Sequence, residues 1–135
     1  MSYHRAIRVE FNHCDPAGIV FYPRYFEMTN SGCENFYRDV VGYGYDAMMA
    51  DGIGVPTVRI ETDFRAPSRL GDLIDWTLAV ERVGASSATF LLTARAGGET
   101  RLTARLTLVW LAPDHRPSRW PDRIRAALAA QKDQE

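Results

Sequence analysis

The feature that most restricts how this chain can fold is a change of period near residue 57. From residue 23 to residue 40 the apolar side chains recur with helical spacing. Tyr25, Phe26, Met28, Gly32, Cys33, Phe36, Tyr37 and Val40 leave a narrow polar stripe of Arg24, Glu27, Ser31, Glu34, Asn35 and Arg38. An apolar arc that wide predicts a helix buried on more than one side. Beyond it the period becomes two. Val58, Ile60, Thr62, Phe64 and Ala66 alternate with charged residues, then Ile74, Trp76, Leu78 and Val80, then Ala88, Phe90, Leu92 and Ala94, then Leu102, Ala104, Leu106, Leu108 and Trp110. Each run reads as a strand with one buried face. An earlier run, 3–11, puts Ile7, Val9 and Phe11 on one side and reads as a fifth strand. Short connections, including the turn at Gly97-Gly98, favour antiparallel neighbours. A sheet with one apolar face needs a cover, and the long helix supplies it, which predicts an α+β layer architecture.

Smaller signals divide the rest. Pro23 suits the first helical position, and Gly42 and Gly44 end the helix. Residues 45–51 predict a short second helix stopped at Gly52. Pro113 and Pro117 close the sheet region, residues 120–131 predict a C-terminal helix, and the tail 129–135 is expected to fray. Long strands with one apolar face leave open edges, which predicts pairing with another copy.

Composition excludes several classes. A chain of 135 residues, 46% hydrophobic and 24% charged, fits one globular domain. A net charge of −1 excludes nucleic-acid binding by bulk electrostatics. All basic residues but Lys132 are arginine, which suits phosphate groups and equally fits a compositional bias. No apolar run is long enough to span a membrane, and the N-terminal residues lack a signal peptide's apolar segment. Cys14 and Cys33 are expected as free thiols in a reducing cytoplasm. His4, His13 and His115 have no zinc-like spacing, so no metal is expected. No phosphate loop, nucleophile elbow or dinucleotide fingerprint is present.

One stretch carries chemistry: "HCDPAGIVFYPRYFEM", residues 13–28. An adjacent His13–Cys14 pair is a poor nucleophile and base, because neighbouring side chains in extended backbone point apart. Asp15 reads either as a turn aspartate bonding nearby backbone or as a catalytic carboxylate. The loop runs into a helix start, whose free N–H groups and dipole stabilise developing negative charge. Aromatic residues follow that can exclude water. A carboxylate beside such a helix start is an arrangement that serves acyl transfer.

The segment "FNHCDPAGIVFYPRYFEM" resembles the signature of the 4-hydroxybenzoyl-CoA thioesterase group of hotdog-fold acyl-CoA thioesterases. The order of elements over residues 3–112 is similar too. The resemblance implies a single hotdog domain over residues 1–135 with a helical tail at 118–132, its five-stranded antiparallel sheet wrapped around a long central helix. It implies hydrolysis of an acyl-CoA, with Asp15 as nucleophile or general base and the backbone N–H of Tyr22 polarising the thioester carbonyl. Pro23, Tyr25, Phe26 and Asn30 are then candidates for the acyl pocket. Asn30 stands where members specialised for the 4-hydroxybenzoyl group carry an acid, so another aromatic or a short acyl group is equally expected; Asn30 reads also as a helix-packing amide. Arg82, Ser86 and Ser87 are candidates for the CoA phosphates, with Arg65 and Arg69 as further ones, and His13 is expected to support the loop. No cofactor is implied beyond the coenzyme A of the substrate. A homodimer or tetramer is implied. The alternatives are a hotdog hydratase or dehydratase, for which histidine is scarce, and an acyl-CoA-binding protein without turnover.

Overall fold

The computed structural model describes residues 2–133. Five strands form one antiparallel sheet: β1 (Tyr3–Arg8), β2 (Thr57–Phe64), β3 (Leu73–Val83), β4 (Ser87–Ala96) and β5 (Glu99–Val109), in the order β1-β3-β4-β5-β2. The helices are α1 (Tyr22–Phe36), α2 (Tyr45–Ala50) and α3 (Asp122–Asp133). The expected α+β hotdog architecture is the one the chain has. In β3, β4 and β5 the apolar alternates are all buried, and they form the face on which α1 lies. Phe36 and Tyr37 set their rings on Phe90, and Tyr25 sets its ring on Trp76. A Cβ at Gly32 would come 3.2 Å from Leu92 Cδ2, so glycine lets α1 approach β4 closely.

Several local expectations differ from the structure. The first strand stops at Arg8, and Phe11 is 83% exposed. Glu10 opens a short turn over Phe11–His13, closed by its own N–H donating to His13 Nδ1 at 2.8 Å, and this swings Phe11 outward. The alternation of β2 is present but its apolar side is only partly covered: Val58, Ile60 and Phe64 are exposed, because β2 is an edge strand that α1 meets through the Phe64 ring and otherwise leaves open. Helix α1 starts at Tyr22, which puts Pro23 at its second position. It continues as one wider turn over Tyr37–Val41 before Gly42, at φ +80°, ends it. Asn35 leaves the polar stripe: it is buried, donating to Ser31 O at 2.8 Å and accepting from Arg38 Nη2.

Helix α3 packs on β3 beside the end of α1. Trp120, Ile124 and Leu128 are buried in the same core as the sheet. Trp120 Nε1 donates to Ser87 O and Arg125 to Gly84 O. Of the tail expected to fray, residues 129–133 complete α3, and residues 134–135 lie outside the described residues.

Candidate active site

The loop before α1 is folded back on itself. Cys14 and Val20 bridge across it. The Asp15 N–H donates to Ile19 O at 3.0 Å, and Asp15 O accepts the Gly18 N–H at 2.9 Å, around a Gly18 at φ +79°. The Asp15 side chain shares in the turn: its Oδ1 accepts the Ala17 N–H at 2.9 Å. This bond fixes the carboxylate and leaves Oδ2 without a partner among the described residues. His13 supports the loop as expected, since its carbonyl accepts the Phe21 N–H at 2.9 Å while its ring caps the preceding turn.

These bonds single out one amide. Phe21 is engaged, Pro23 has no N–H, and the Arg24 N–H turns back to Phe21 O. The Tyr22 N–H is therefore the first donor of α1, and no backbone bond among the described residues uses it. It sits where the partial positive charge of the helix end is greatest.

The segment after β2 seats this root. Ser68 O accepts the Val20 N–H at 2.9 Å, Ile19 bridges to Arg69, and the Leu70 N–H donates to Gly18 O. Between them lies a cavity of about 340 Å³ lined by Tyr22, Tyr25, Phe64, Arg65, Ala66 and Pro67, with Ile19 and Val20. The Phe64 ring lies 5.9 Å from that of Tyr25, 6.3 Å from Tyr22 and 6.4 Å from Phe26, centroid to centroid. Further along α1 come a cavity of about 300 Å³ that includes Phe26, Asn30 and Ile60, and one of about 270 Å³ that includes Asn30, Met48 and Met49. Asn30 and Thr57 line both. The side of α1 that faces β2 is thus a string of openings, where its other side is packed solid.

The structure brings Tyr22, Tyr25, Phe26 and Asn30 onto this one side of α1, with the Asp15 loop at its head and Pro23 half-buried in the first turn. Asn30 is exposed and lines a cavity with Phe26, whereas Cys33 and Tyr37, further along the helix, are buried in the core. Arg82, Ser86 and Ser87 are elsewhere. They flank the β3–β4 turn, ten residues along β3 from its start at Leu73, about 34 Å at the usual strand rise. The carbonyls of Ser86 and Ser87 are occupied by Trp110 N–H and by Gly84 N–H and Trp120 Nε1. Neither cysteine acts as a nucleophile in this geometry: Cys14 donates to Glu10 O, and burial pushes the Cys33 thiol up to about 12. Among the described residues no His, Cys, Asp and Glu cluster could hold a metal ion, and no helix is long and apolar enough to cross a membrane.

Beside the root, Arg101 joins Asp72 (Nη1 to Oδ2, 2.7 Å) and Glu99 (Nε to Oε1, 2.8 Å). The Arg69 N–H, then the Arg101 guanidinium, hold the Asp72 carboxyl below the usual carboxylate range. Sequence reasoning missed Phe64, Ala66, Pro67 and the fully buried Ser68 as parts of this site. Their approach to residues 18–22 is a long-range pairing with no local signal.

The model of the thioesterase-like superfamily matches residues 9–128, nearly the whole of the described chain. The chain belongs to the thioesterase-like superfamily. Its similarity to solved structures of low identity agrees on the fold. A gentisyl-coenzyme A thioesterase superposes with a TM-score of 0.87 at 24% identity, over 93% of this chain and 99% of that one. A 1,4-dihydroxy-2-naphthoyl-CoA thioesterase from Synechocystis gives 0.87 at 18%, over 96% of each. A Staphylococcus aureus protein in complex with CoA gives 0.93 at 14%, over 100% of this chain and 86% of that one. No curated protein sequence matches the chain. In this thioesterase-like chain the helix root and the α1–β2 groove are accordingly the place to look for chemistry.

Proposed function

We propose that this protein is an acyl-CoA thioesterase that hydrolyses an aromatic or short-chain acyl-CoA to the free acid and CoA. The observation that carries the reading is the unused Tyr22 amide at the start of α1, with the Asp15 turn directly before it and an aromatic cavity beside it. The thioester oxygen accepts the Tyr22 N–H, and negative charge growing there in the transition state gains from the helix dipole. Asp15 then acts in one of two ways. Its free Oδ2 attacks the carbonyl carbon, expels the CoA thiolate and leaves a mixed anhydride that water opens. Alternatively it takes a proton from a water that attacks the same carbon. In both routes the same two groups face one carbonyl.

The acyl group occupies the openings past Tyr25, with Phe26 beside it and the Asn30 amide offering a hydrogen bond to a polar substituent. An asparagine in place of an acid extends the range beyond 4-hydroxybenzoyl. We also propose that the enzyme works as a homo-oligomer paired along β2, whose outer edge is open and whose Val58, Ile60 and Phe64 are 61%, 40% and 51% exposed.

The test is a panel of benzoyl, hydroxybenzoyl, phenylacetyl and short straight-chain CoA thioesters with free thiol measured. The expected result is CoA release from at least one aromatic or short member. Tight binding of all of them with no thiol released is the result of a binding protein and overturns the reading. Addition of water to an enoyl-CoA without thiol release assigns a hydratase instead.

A further inference from the structure

We propose that Arg101 on β5 is a positioning residue for the helix root: it fixes the segment 65–72, and that segment sets the Asp15 turn and the Tyr22 amide relative to each other. The inference rests on the proposed thioesterase reading for the reaction it serves, and on hydrogen bonds for its geometry.

The segment needs a tether. Residues 65–72 are a run of turn and irregular backbone between the end of β2 and the start of β3. Their shape therefore depends on individual bonds rather than on a ladder. Arg101 grips them with both main chain and side chain. Its carbonyl accepts the Arg65 N–H at 2.8 Å and the Ala66 N–H at 3.2 Å. Its Nη1 donates to Pro67 O at 3.0 Å and to Asp72 Oδ2 at 2.7 Å. The same Asp72 oxygen accepts the Arg69 N–H at 2.9 Å. One guanidinium nitrogen thus ties the two ends of the turn together. The side chain is 13% exposed, so water competes little for these bonds.

The segment passes this geometry to the root. Ser68 O accepts the Val20 N–H at 2.9 Å, the Leu70 N–H donates to Gly18 O at 3.3 Å, and Ile19 bridges to Arg69. Residues 18–20 lie between the two groups assigned to the chemistry. Ile19 O accepts the Asp15 N–H at 3.0 Å, and Val20 stands two residues before Tyr22. A shift of the 67–72 turn therefore moves the carboxylate against the amide. Arg101 is outside the wall of the root cavity, so it acts through the segment and not on the substrate.

Arg105, on the same strand, gives the contrast. It joins Glu81 at 2.6 Å, with side chains 45% and 39% exposed. Both of its guanidinium bonds go to that carboxylate, from β5 to β3. It links two strands that the sheet already orders, whereas Arg101 orders a stretch that the sheet leaves free.

Amide hydrogen exchange and kinetics on the full chain test this together. In Arg101→Ala, protection of the Val20 and Leu70 amides is expected to fall about tenfold or more relative to that of Leu92 in the central strand β4, the size of one charge-assisted bond. On whichever acyl-CoA the wild type hydrolyses, kcat is expected to fall about 10–100-fold with KM within a few-fold, since a misplacement of about 1 Å suffices for such a loss. Arg101→Lys keeps the charge beside Asp72 and gives up the planar fork; it is expected to show the same split and carries the test where the alanine variant does not fold. Arg105→Ala is expected to keep both readouts. Equal loss of protection at Val20 and Leu92 makes Arg101 a stabiliser of the whole fold and overturns the inference. So does unchanged kcat in a folded Arg101 variant, an equal kcat loss in Arg105→Ala, or failure of both Arg101 variants to fold. Selective loss at Val20 in a protein that hydrolyses none of the thioester panel sustains the tether and refutes the thioesterase reading; hydrolysis untouched by Arg101→Lys does the reverse.

Discussion

The two long sides of α1 are built for opposite purposes. Toward β3 and β4, Phe36 and Tyr37 meet Phe90 in the buried core, and a Cβ at residue 32 would crowd the Leu92 side chain, while Tyr25 spans both sides by touching Trp76 and Phe64. Toward β2, the same helix faces three separate openings and an edge strand whose apolar residues are exposed. A helix packed equally well on both sides would be more stable and would have nowhere to hold an acyl group. Stability is concentrated on one side, and the other keeps aromatic surface and a free amide, with a fixed carboxylate in the loop that leads into the helix. The buried Tyr37 marks the packed side: burial raises it well above the ordinary phenol range, which keeps it neutral.

That contrast can be broken from either side. Phe90→Ala empties the fully buried contact beneath Phe36 and Tyr37 and is expected to cost about 3–5 kcal/mol in urea unfolding; a loss below about 1 kcal/mol would mean the packed side is not the stabilising one. Gly42→Ala forces a side chain into φ +80°, where L residues are strained, and is expected to cost about 1–2 kcal/mol. Phe64→Ala, on the open side, is expected to cost about 1 kcal/mol or less while raising KM for an aromatic acyl-CoA several-fold; an unfolding cost like that of Phe90→Ala would show β2 to be part of the core. The smallest effect is expected at Asp72. Its carboxyl titrates below its ordinary value near 3.8 because the Arg69 N–H and Arg101 favour the charged form. The stability it adds is present above that value and disappears as pH falls through the depressed one. Asp72→Asn is therefore expected to lower stability slightly near neutrality, where the charged carboxylate contributes, and to match wild type at pH below the depressed value, so that the acid limb of the stability profile is less steep.

Much of this was legible in the sequence because burial imposes a period. The alternation at residues 74–80, 88–94 and 102–110 gave the central strands; the wide arc at 25–40 gave the helix but overstated its cover, since the side toward β2 is lined by cavities. The strand face at 58–66 was read with the right period, but a period cannot report that the helix covers it only in part. Phe11 was misplaced because one hydrogen bond, from the Glu10 N–H to the His13 ring, reverses the chain within three residues. Asp15 and the loop after it stood out as candidates because turn residues run straight into a helix start, whereas Tyr22 was named only through the family resemblance. The contribution of Ala66, Pro67 and Ser68 was not, because it depends on two segments about fifty residues apart pairing through Ile19–Arg69 and Val20–Ser68. Asn30, read as either a pocket residue or a helix-packing amide, is exposed on the groove side of α1 and lines a cavity with Phe26, while Cys33 and Tyr37 are buried in the core.

The central claim is that a carboxylate held at the head of α1 acts on a carbonyl gripped by the Tyr22 amide. Asp15→Asn tests it most directly, because the asparagine oxygen still accepts the Ala17 N–H that fixes the turn. Measured on whichever acyl-CoA the wild type hydrolyses, kcat is expected to fall roughly 10²–10⁴-fold with the urea midpoint unmoved. A variant that keeps kcat within a few-fold of wild type would contradict the account.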